Sequence, residues 1–306
     1  MLEAVTARGF ARADQLATGE VLDGRYRVIR RLAHGGMGTV FLGQHVLIQR
    51  HVAIKVLHAE LARDRAMVDR FLLEAAAAAT LGHPHIVEST DMGFTREGVP
   101  YIVFEYLEGC LLTEEVKRLR WLPVRRALVI ARQIASALDA AHAAHIAHLD
   151  LKTDNVFLTD RGEAIDHAKL LDFGISRFLE ADRETTQPEV LMGTPEYMAP
   201  EQVTSPGDVD GRADIHALGV LLYVMLTGRC PFTGDDPLAV LECIVGEPPA
   251  PLDRPVPEAV ERLLFDRLLV KNRDARIQTM REVIGILDAL IPTLSSSVPE
   301  ALDRFD

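Results

Sequence analysis

From Ile146 to Leu158 the chain reads Ile-Ala-His-Leu-Asp-Leu-Lys-Thr-Asp-Asn-Val-Phe-Leu, which sets a carboxylate, an ammonium and a carboxamide within six positions, at Asp150, Lys152 and Asn155. Asp150 can accept a hydroxyl proton, Lys152 can neutralise a transferring phosphoryl group, and Asn155 can lend an oxygen to a hard cation. A little downstream, Lys169-Leu-Leu-Asp-Phe-Gly174 reads as an apolar strand that ends in an acid. Asp172 there offers a second oxygen ligand of the kind Mg²⁺ takes beside nucleotide phosphates.

Upstream lies Leu32-Ala-His-Gly-Gly-Met-Gly-Thr-Val40. Gly35, Gly36 and Gly38 would let backbone N–H groups approach phosphates closely, and they would equally serve a plain hairpin turn. Val52-Ala-Ile-Lys55 then puts an ammonium on the next strand among apolar neighbours. Glu74, on the segment that follows, is its charge partner in this reading, against the alternative of a surface glutamate among many.

These groups need elements to hold them. Tyr26-Arg-Val-Ile, Thr39-Val-Phe-Leu, Val52-Ala-Ile-Lys-Val and Tyr101-Ile-Val-Phe are short β-rich runs, and Arg65 to Leu81, with five consecutive alanines from Ala75, is a helix that stops at Gly82. Beyond Leu107 the segments Val124 to His142, Asp214 to Thr227 and Glu258 to Val270 read as helices with few strands among them. The apolar run Ala217 to Leu226 is read as a helix buried all round. The fold class is therefore α+β: a small β-rich lobe with one main helix, and a larger, mostly helical lobe. The join falls near Glu105-Tyr-Leu-Glu-Gly109, and a cleft between lobes is a common place for a small-molecule site. In this reading residues 1–23 form a flexible extension, 24–106 the small lobe, 107–290 the large lobe and 291–306 a linker-like tail.

Composition narrows the partners. With 306 residues, 48% hydrophobic and 25% charged, the chain has ample material for a core without disulfide or metal staples. Its charge, 33 − 45 = −12, repels phosphate backbones and anionic lipid, so neither nucleic acid nor a membrane surface is an expected partner. Cys110, Cys230 and Cys243 are too few and too widely spaced for a disulfide framework or a C-x-x-C metal site, which fits a reducing, cytoplasmic setting. Residues 1 to 20 contain no apolar core of a secretory signal, and the longest apolar run is far short of the roughly 20 residues of a membrane helix.

Taken together and in order, these motifs resemble the eukaryotic-like protein kinases, in particular the bacterial serine/threonine kinases with a Gly-Gly-Met-Gly loop. The resemblance covers roughly residues 24 to 290. It includes Gly193-Thr-Pro-Glu-Tyr-Met-Ala-Pro-Glu201, which is similar to the end of an activation segment, and Asp210-Gly-Arg-Ala-Asp-Ile, which is similar to the start of the central helix. It implies that Lys55 holds the α- and β-phosphates of ATP and pairs with Glu74, that Asp150 is the catalytic base with Lys152 on the γ-phosphate, and that Asn155 and Asp172 hold Mg²⁺, or Mn²⁺ in its place. It further implies a nucleotide site from Leu32, Ala33, His34, Gly35, Gly36, Met37, Gly38 and Val40, with Val40, Ala53 and Phe157 around adenine. Phe104 takes the gatekeeper position, and Glu105 and Leu107 the hinge contacts. Asp214 is expected to anchor the catalytic loop through its backbone, and Arg276 to pair with Glu201. Lys152 and Thr194 point to Ser/Thr hydroxyls of protein substrates. The resemblance also allows a homodimer through the small lobe.

Two departures stand out. Ala33 replaces the first glycine of the loop, with an expected slower or stiffer loop that still binds; the cost depends on the sign of φ there. Leu149 replaces the arginine that in many relatives clamps an activation-loop phosphate, so activity is expected not to depend on such a clamp, although Thr185 and Thr186 could be autophosphorylated. His142, His145 and His148, spaced by three, are read as structural rather than as metal ligands. Cys110, just past the hinge, could line the mouth of the nucleotide pocket; it is read as inert rather than reactive and as no more than a labelling site. An active protein kinase leads over an ATP-binding pseudokinase scaffold and a small-molecule phosphotransferase.

Overall fold

Short β-branched and aromatic runs make an antiparallel sheet of β1 (Val21–Leu22), β2 (Tyr26–His34), β3 (Gly38–His45), β4 (His51–Leu57), β5 (Ser89–Phe94) and β6 (Pro100–Glu105), in spatial order β1-β2-β3-β4-β6-β5. The structure is a computed structural model that describes residues 16–161, 164–172 and 195–294. Thr185, Thr186 and Thr194, and the Phe173-Gly174 pair, lie outside the described residues.

Register decides which side chains of the sheet meet. Val40 stands opposite Lys55, Lys55 opposite Ile102, and Ala53 opposite Phe104. Side chains directly opposite share a face, and residues two apart do too, so Val40, Ala53, Lys55 and Phe104 lie on one face of the sheet.

The helix α1 (Arg65–Leu81) begins where the Asp64 side chain accepts the Ala66 N–H at 2.9 Å and ends at Gly82, whose φ of +51° only glycine adopts without strain. Its buried residues, among those described, are Arg70, Phe71, Glu74 and Ala75. Phe71 and Ala75 pack with Ile54, Val56, Tyr101 and Ile102 in one apolar cluster, so an acid at the intervening position is carried inward with them. β1 and β5 are additions to the sequence reading. Val21–Leu22 pairs with Tyr26–Arg27, upstream of residue 24, and β5 is an edge strand whose Ser-Thr-Asp-Met-Gly run lacks β-branched density and is ordered by pairing with β6.

The described residues form two compact units: 16–108 with Leu171 and Asp172 make one, and those of 109–170 with those from 195 onward make the other. The second unit carries a three-stranded sheet, β7 (Gly109–Leu111), β8 (Val156–Arg161) and β9 (Ala164–Leu170), in that spatial order. Its helices are α2 (Leu112–Leu119), α3 (Val124–Ala143), α4 (Pro200–Thr204), α5 (Arg212–Thr227), α6 (Pro237–Gly246), α7 (Glu258–Leu263) and α8 (Met280–Leu290). Every residue of α5 from Ala213 to Thr227 is buried, which makes it the central helix the apolar run calls for. The α-helix expected from Glu258 to Val270 is shorter: it stops at Leu263 and continues as a π turn, Leu264–Leu268. Helices α2, α6 and α8 did not emerge from the periodicity.

Two hydrogen-bonding side chains of α3 hold β9 in place. Arg126 makes two bonds to Asp166, at 2.6 and 2.7 Å, and also pairs with Glu115 at 2.6 Å. Gln133 donates to Asp166 O and accepts from Ala168 N.

Candidate active site

In the first unit Lys55 is buried between two carboxylates: Nζ lies 2.8 Å from Glu74 Oε1 and 2.8 Å from Asp172 Oδ1. Burial opposes its charge, but Asp172 and Glu74 outweigh it and raise the ammonium above its ordinary value. Two carboxylates thus share one cation. Burial, opposed by Lys55 and assisted by Asp172, pushes the deeper carboxyl, Glu74, above the usual carboxylate range. A divalent cation at Asp172 would relieve that excess negative charge.

The loop between β2 and β3 is closed by Gly35 N–H donating to Gly38 O at 2.9 Å. Gly38 has no room for a side chain, because a Cβ would lie 2.3 Å from Val56 O. Leu32, Ala33 and His34 are exposed at the end of β2, Gly35 and Gly36 are exposed beyond it, and Val40 is half-buried at the start of β3. His34 Nδ1 lies 3.0 Å from Thr39 Oγ1, its ring stacks on His58 at 4.7 Å, and Met37 O accepts the His58 N–H. Ala33 pairs with Val40 as an ordinary strand residue and is absent from the positive-φ positions, so the departure from glycine introduces no backbone strain. Phe104 is buried, Ala53 and Leu107 are half-buried, and Glu105 exchanges bonds with Glu88: its N–H donates to Glu88 O and its Oε1 accepts the Glu88 N–H, both at 3.0 Å.

The second unit holds the other set. Lys152 Nζ donates to Asp150 Oδ2 at 2.8 Å, and Asn155 Nδ2 donates to Asp150 O at 2.8 Å and to Oδ2 at 3.1 Å. Because the amide nitrogen of Asn155 is committed to Asp150, its oxygen is the atom turned toward other donors or a cation. The loop is tethered from below by Asp214, fully buried, whose Oδ2 accepts the His148 N–H and whose Oδ1 accepts the Leu149 N–H, both at 2.8 Å. His142 Nε2 lies 2.7 Å from the same Oδ2, a contact that sequence reasoning missed. Its signal was available: a histidine in the last turn of α3, just before the loop.

Leu149 has φ of +58°, is buried, and packs with Ala147, Ala199 and Ala213, while Gln202 Nε2 donates to its carbonyl at 3.1 Å. The place of the clamping arginine is thus filled by apolar packing. His145 is exposed and His148 accepts the Asp150 N–H at 3.3 Å, so the three histidines do separate things, and among the described residues no cluster of three or more His, Cys, Asp or Glu side chains gathers in metal-binding fashion. Phe157 is half-buried on β8. Arg276 binds Glu201 in two-pronged fashion at 2.7 and 3.0 Å and donates to the carbonyls of Arg212, Val270 and Lys271, fully buried. Cys110 is a free thiol that burial raises above its ordinary value, which suits an inert cysteine.

Residues 26–284 match the protein kinase domain family. The chain belongs to that family. Among its relatives, serine/threonine-protein kinase Pkn1 of Myxococcus xanthus is 42% identical over 270 residues, 86% of this chain and 38% of Pkn1. Serine/threonine-protein kinase pkn2 of the same organism is 41% identical over 287 residues, 91% of this chain and 34% of the relative. Serine/threonine-protein kinase PknA of Mycobacterium tuberculosis is 38% identical over 265 residues, 85% of this chain and 60% of PknA. The chain thus has the mixed α+β fold of the protein kinase domain family, is similar to these bacterial serine/threonine-protein kinases, and spans less than two thirds of their own lengths. No helix among the described residues is long and apolar enough to cross a membrane.

Proposed function

We propose that this kinase domain transfers the γ-phosphoryl group of ATP to Ser or Thr hydroxyls of proteins, and that it autophosphorylates. The observation that carries the reading is the pair of preorganised charge sets, Lys55 between Glu74 and Asp172, and Asp150 between Lys152 and Asn155.

Lys55, held by Glu74, orients the α- and β-phosphates, and the loop from Leu32 to Gly38 covers them with backbone N–H groups. Val40, Ala53 and Phe157 take the adenine ring, beside Phe104, with main-chain contacts from Glu105 and Leu107. The oxygens of Asp172 and Asn155 suit a hard divalent cation and would hold Mg²⁺, with Mn²⁺ as a substitute. When bound, that cation neutralises charge on the phosphates. Asp150 orients the acceptor hydroxyl and takes its proton late in an in-line transfer, while Lys152 steadies the transferring group and Thr194 the acceptor side. Partners are ATP and Ser/Thr proteins, in the cytoplasm, with a homodimer through the small lobe as a further reading.

The test uses purified protein, labelled ATP, Mg²⁺ and a generic basic protein, beside Asp150→Asn, with phosphosites mapped by mass spectrometry. Transfer to Ser/Thr by the unaltered chain alone is expected; no transfer by either, with nucleotide still bound, overturns the reading.

A further inference from the structure

Thr153 follows Lys152 in the loop that carries Asp150, and it opens the 3₁₀ turn Thr153–Asn155 that aims Asn155. A threonine at such a turn would ordinarily be a surface residue, but this one is buried. Its hydroxyl accepts from Thr113 Oγ1 at 2.5 Å, in the first turn of α2, and lies 3.2 Å from the hydroxyl of Tyr197. Tyr197 is itself buried, in the 3₁₀ turn Pro195–Tyr197 just before α4. Three hydroxyls in a row therefore join α2, the Asp150 loop and the segment from Pro195.

We propose that Thr153 is a positioning residue for phosphoryl transfer: its hydroxyl fixes the Asp150–Asn155 loop relative to the Pro195–Tyr197 segment on which an acceptor peptide would lie. The proposal rests on the kinase reading above and adds to it a residue outside the charge sets.

The chemistry is that of a satisfied buried chain. Thr113 donates to Thr153, and Thr153 and Tyr197 share a second hydrogen bond, so the buried Thr153 hydroxyl is satisfied on both sides. Valine has nearly the shape of threonine but cannot bond to either neighbour, and it would leave the half-buried Thr113 hydroxyl and the buried Tyr197 hydroxyl to find other partners. The loop would then keep its general course but lose its lock onto Tyr197. Misplacement of the base relative to an acceptor lowers the transfer step, while the nucleotide-holding groups of the first unit are untouched.

The experiment compares Thr153→Val, Thr153→Ser and Thr113→Val with the unaltered protein. Measured are kcat and KM for ATP and for a Ser/Thr peptide, the ratio of peptide phosphorylation to ATP hydrolysis, and amide exchange of residues 148–155. Expected for Thr153→Val is a kcat toward peptide lower by about tenfold, KM for ATP within about twofold, a ratio shifted toward hydrolysis and faster exchange in the loop. Thr153→Ser, which restores the hydroxyl, should recover most of the loss. Thr113→Val should shift the ratio in the same direction by less. A normal ratio in Thr153→Val, or a serine variant as impaired as the valine one, overturns the proposal. If Thr153→Val does not fold, Thr153→Ser and Thr113→Val decide by the same ratio. Should the unaltered protein transfer nothing, it is the kinase reading that fails, and the positioning role then stands or falls on the exchange of residues 148–155.

Discussion

Lys55 is the residue whose removal should change most with least structural cost. Lys55→Met keeps the buried stem but leaves Glu74 and Asp172 as facing carboxylates, so phosphoryl transfer should drop by about a hundredfold or more, with the far-ultraviolet spectrum retained. Leu149 gives the converse case. Restoring the arginine of many relatives by Leu149→Arg would push a guanidinium into the cluster of Ala147, Ala199 and Ala213, and should destabilise the domain by about 2–4 kcal/mol in urea unfolding rather than create a phosphate clamp. Ala33→Gly, by contrast, should bring no faster turnover. At a strand position without positive φ, glycine only adds freedom to the unfolded chain, at a cost of about 0.5–1 kcal/mol.

At the scale of elements, α5 carries both the anchor of the catalytic loop and a buried liability. Two residues after Asp214 lies His216, fully buried, stacked on Phe232 at 5.9 Å, with neither ring nitrogen hydrogen-bonded among the described residues. Burial, then the nearby cations of Arg276 and Lys271, hold its pKa well below the ordinary value of 6.5, so the folded state keeps it neutral. The unfolded chain gains a proton below about pH 6.5 and the folded chain does not. This contribution to stability is therefore complete above that pH and declines below it, by up to about tenfold in the folding constant per pH unit. His216→Phe keeps the stacking and should flatten the urea midpoint between pH 7.5 and 5 relative to the unaltered protein; parallel profiles would refute the assignment. The ion pair from α4 to the segment before α8 is of another kind. Arg276→Met strands the buried Glu201 carboxylate and should cost about 3–5 kcal/mol, whereas exposed pairs such as Arg65 with Asp69 should cost almost nothing.

For the molecule as a whole, each of the two compact units holds one of the charge sets to which the proposed chemistry is assigned, and ligand linkage tests that assignment. Mg²⁺ and ATP at about a hundred times Kd should stabilise the domain by about 2.7 kcal/mol, seen as a rise in Tm. Asp150→Asn should retain nearly all of that shift and Asp172→Asn lose most of it, because the first is assigned to the acceptor and the second to the cation. A net charge of −12 fits preference for basic acceptor sequences, with rates that fall as salt rises.

The sequence by itself determined the fold class, the four central strands of the large sheet and the main helix to its ends, since an alanine-rich run and Gly82 are local signals, while the Asp64 cap emerged only in the structure. Asp150, Lys152 and Asn155 were legible because a short loop must bring together groups a few positions apart. What only the tertiary structure decided are the contacts across long separations. These are the second carboxylate on Lys55, His142 on Asp214, the apolar seat of Leu149, and the hydroxyl chain through Thr153. Helices α2, α6 and α8 and the edge strand β5 were also illegible, because weak local preference is settled there by neighbours. Spacing along the chain reports what one element can present. Burial and pairing between elements depend on packing, and a residue such as Thr153 acquires its role only once α2 and Tyr197 close around it.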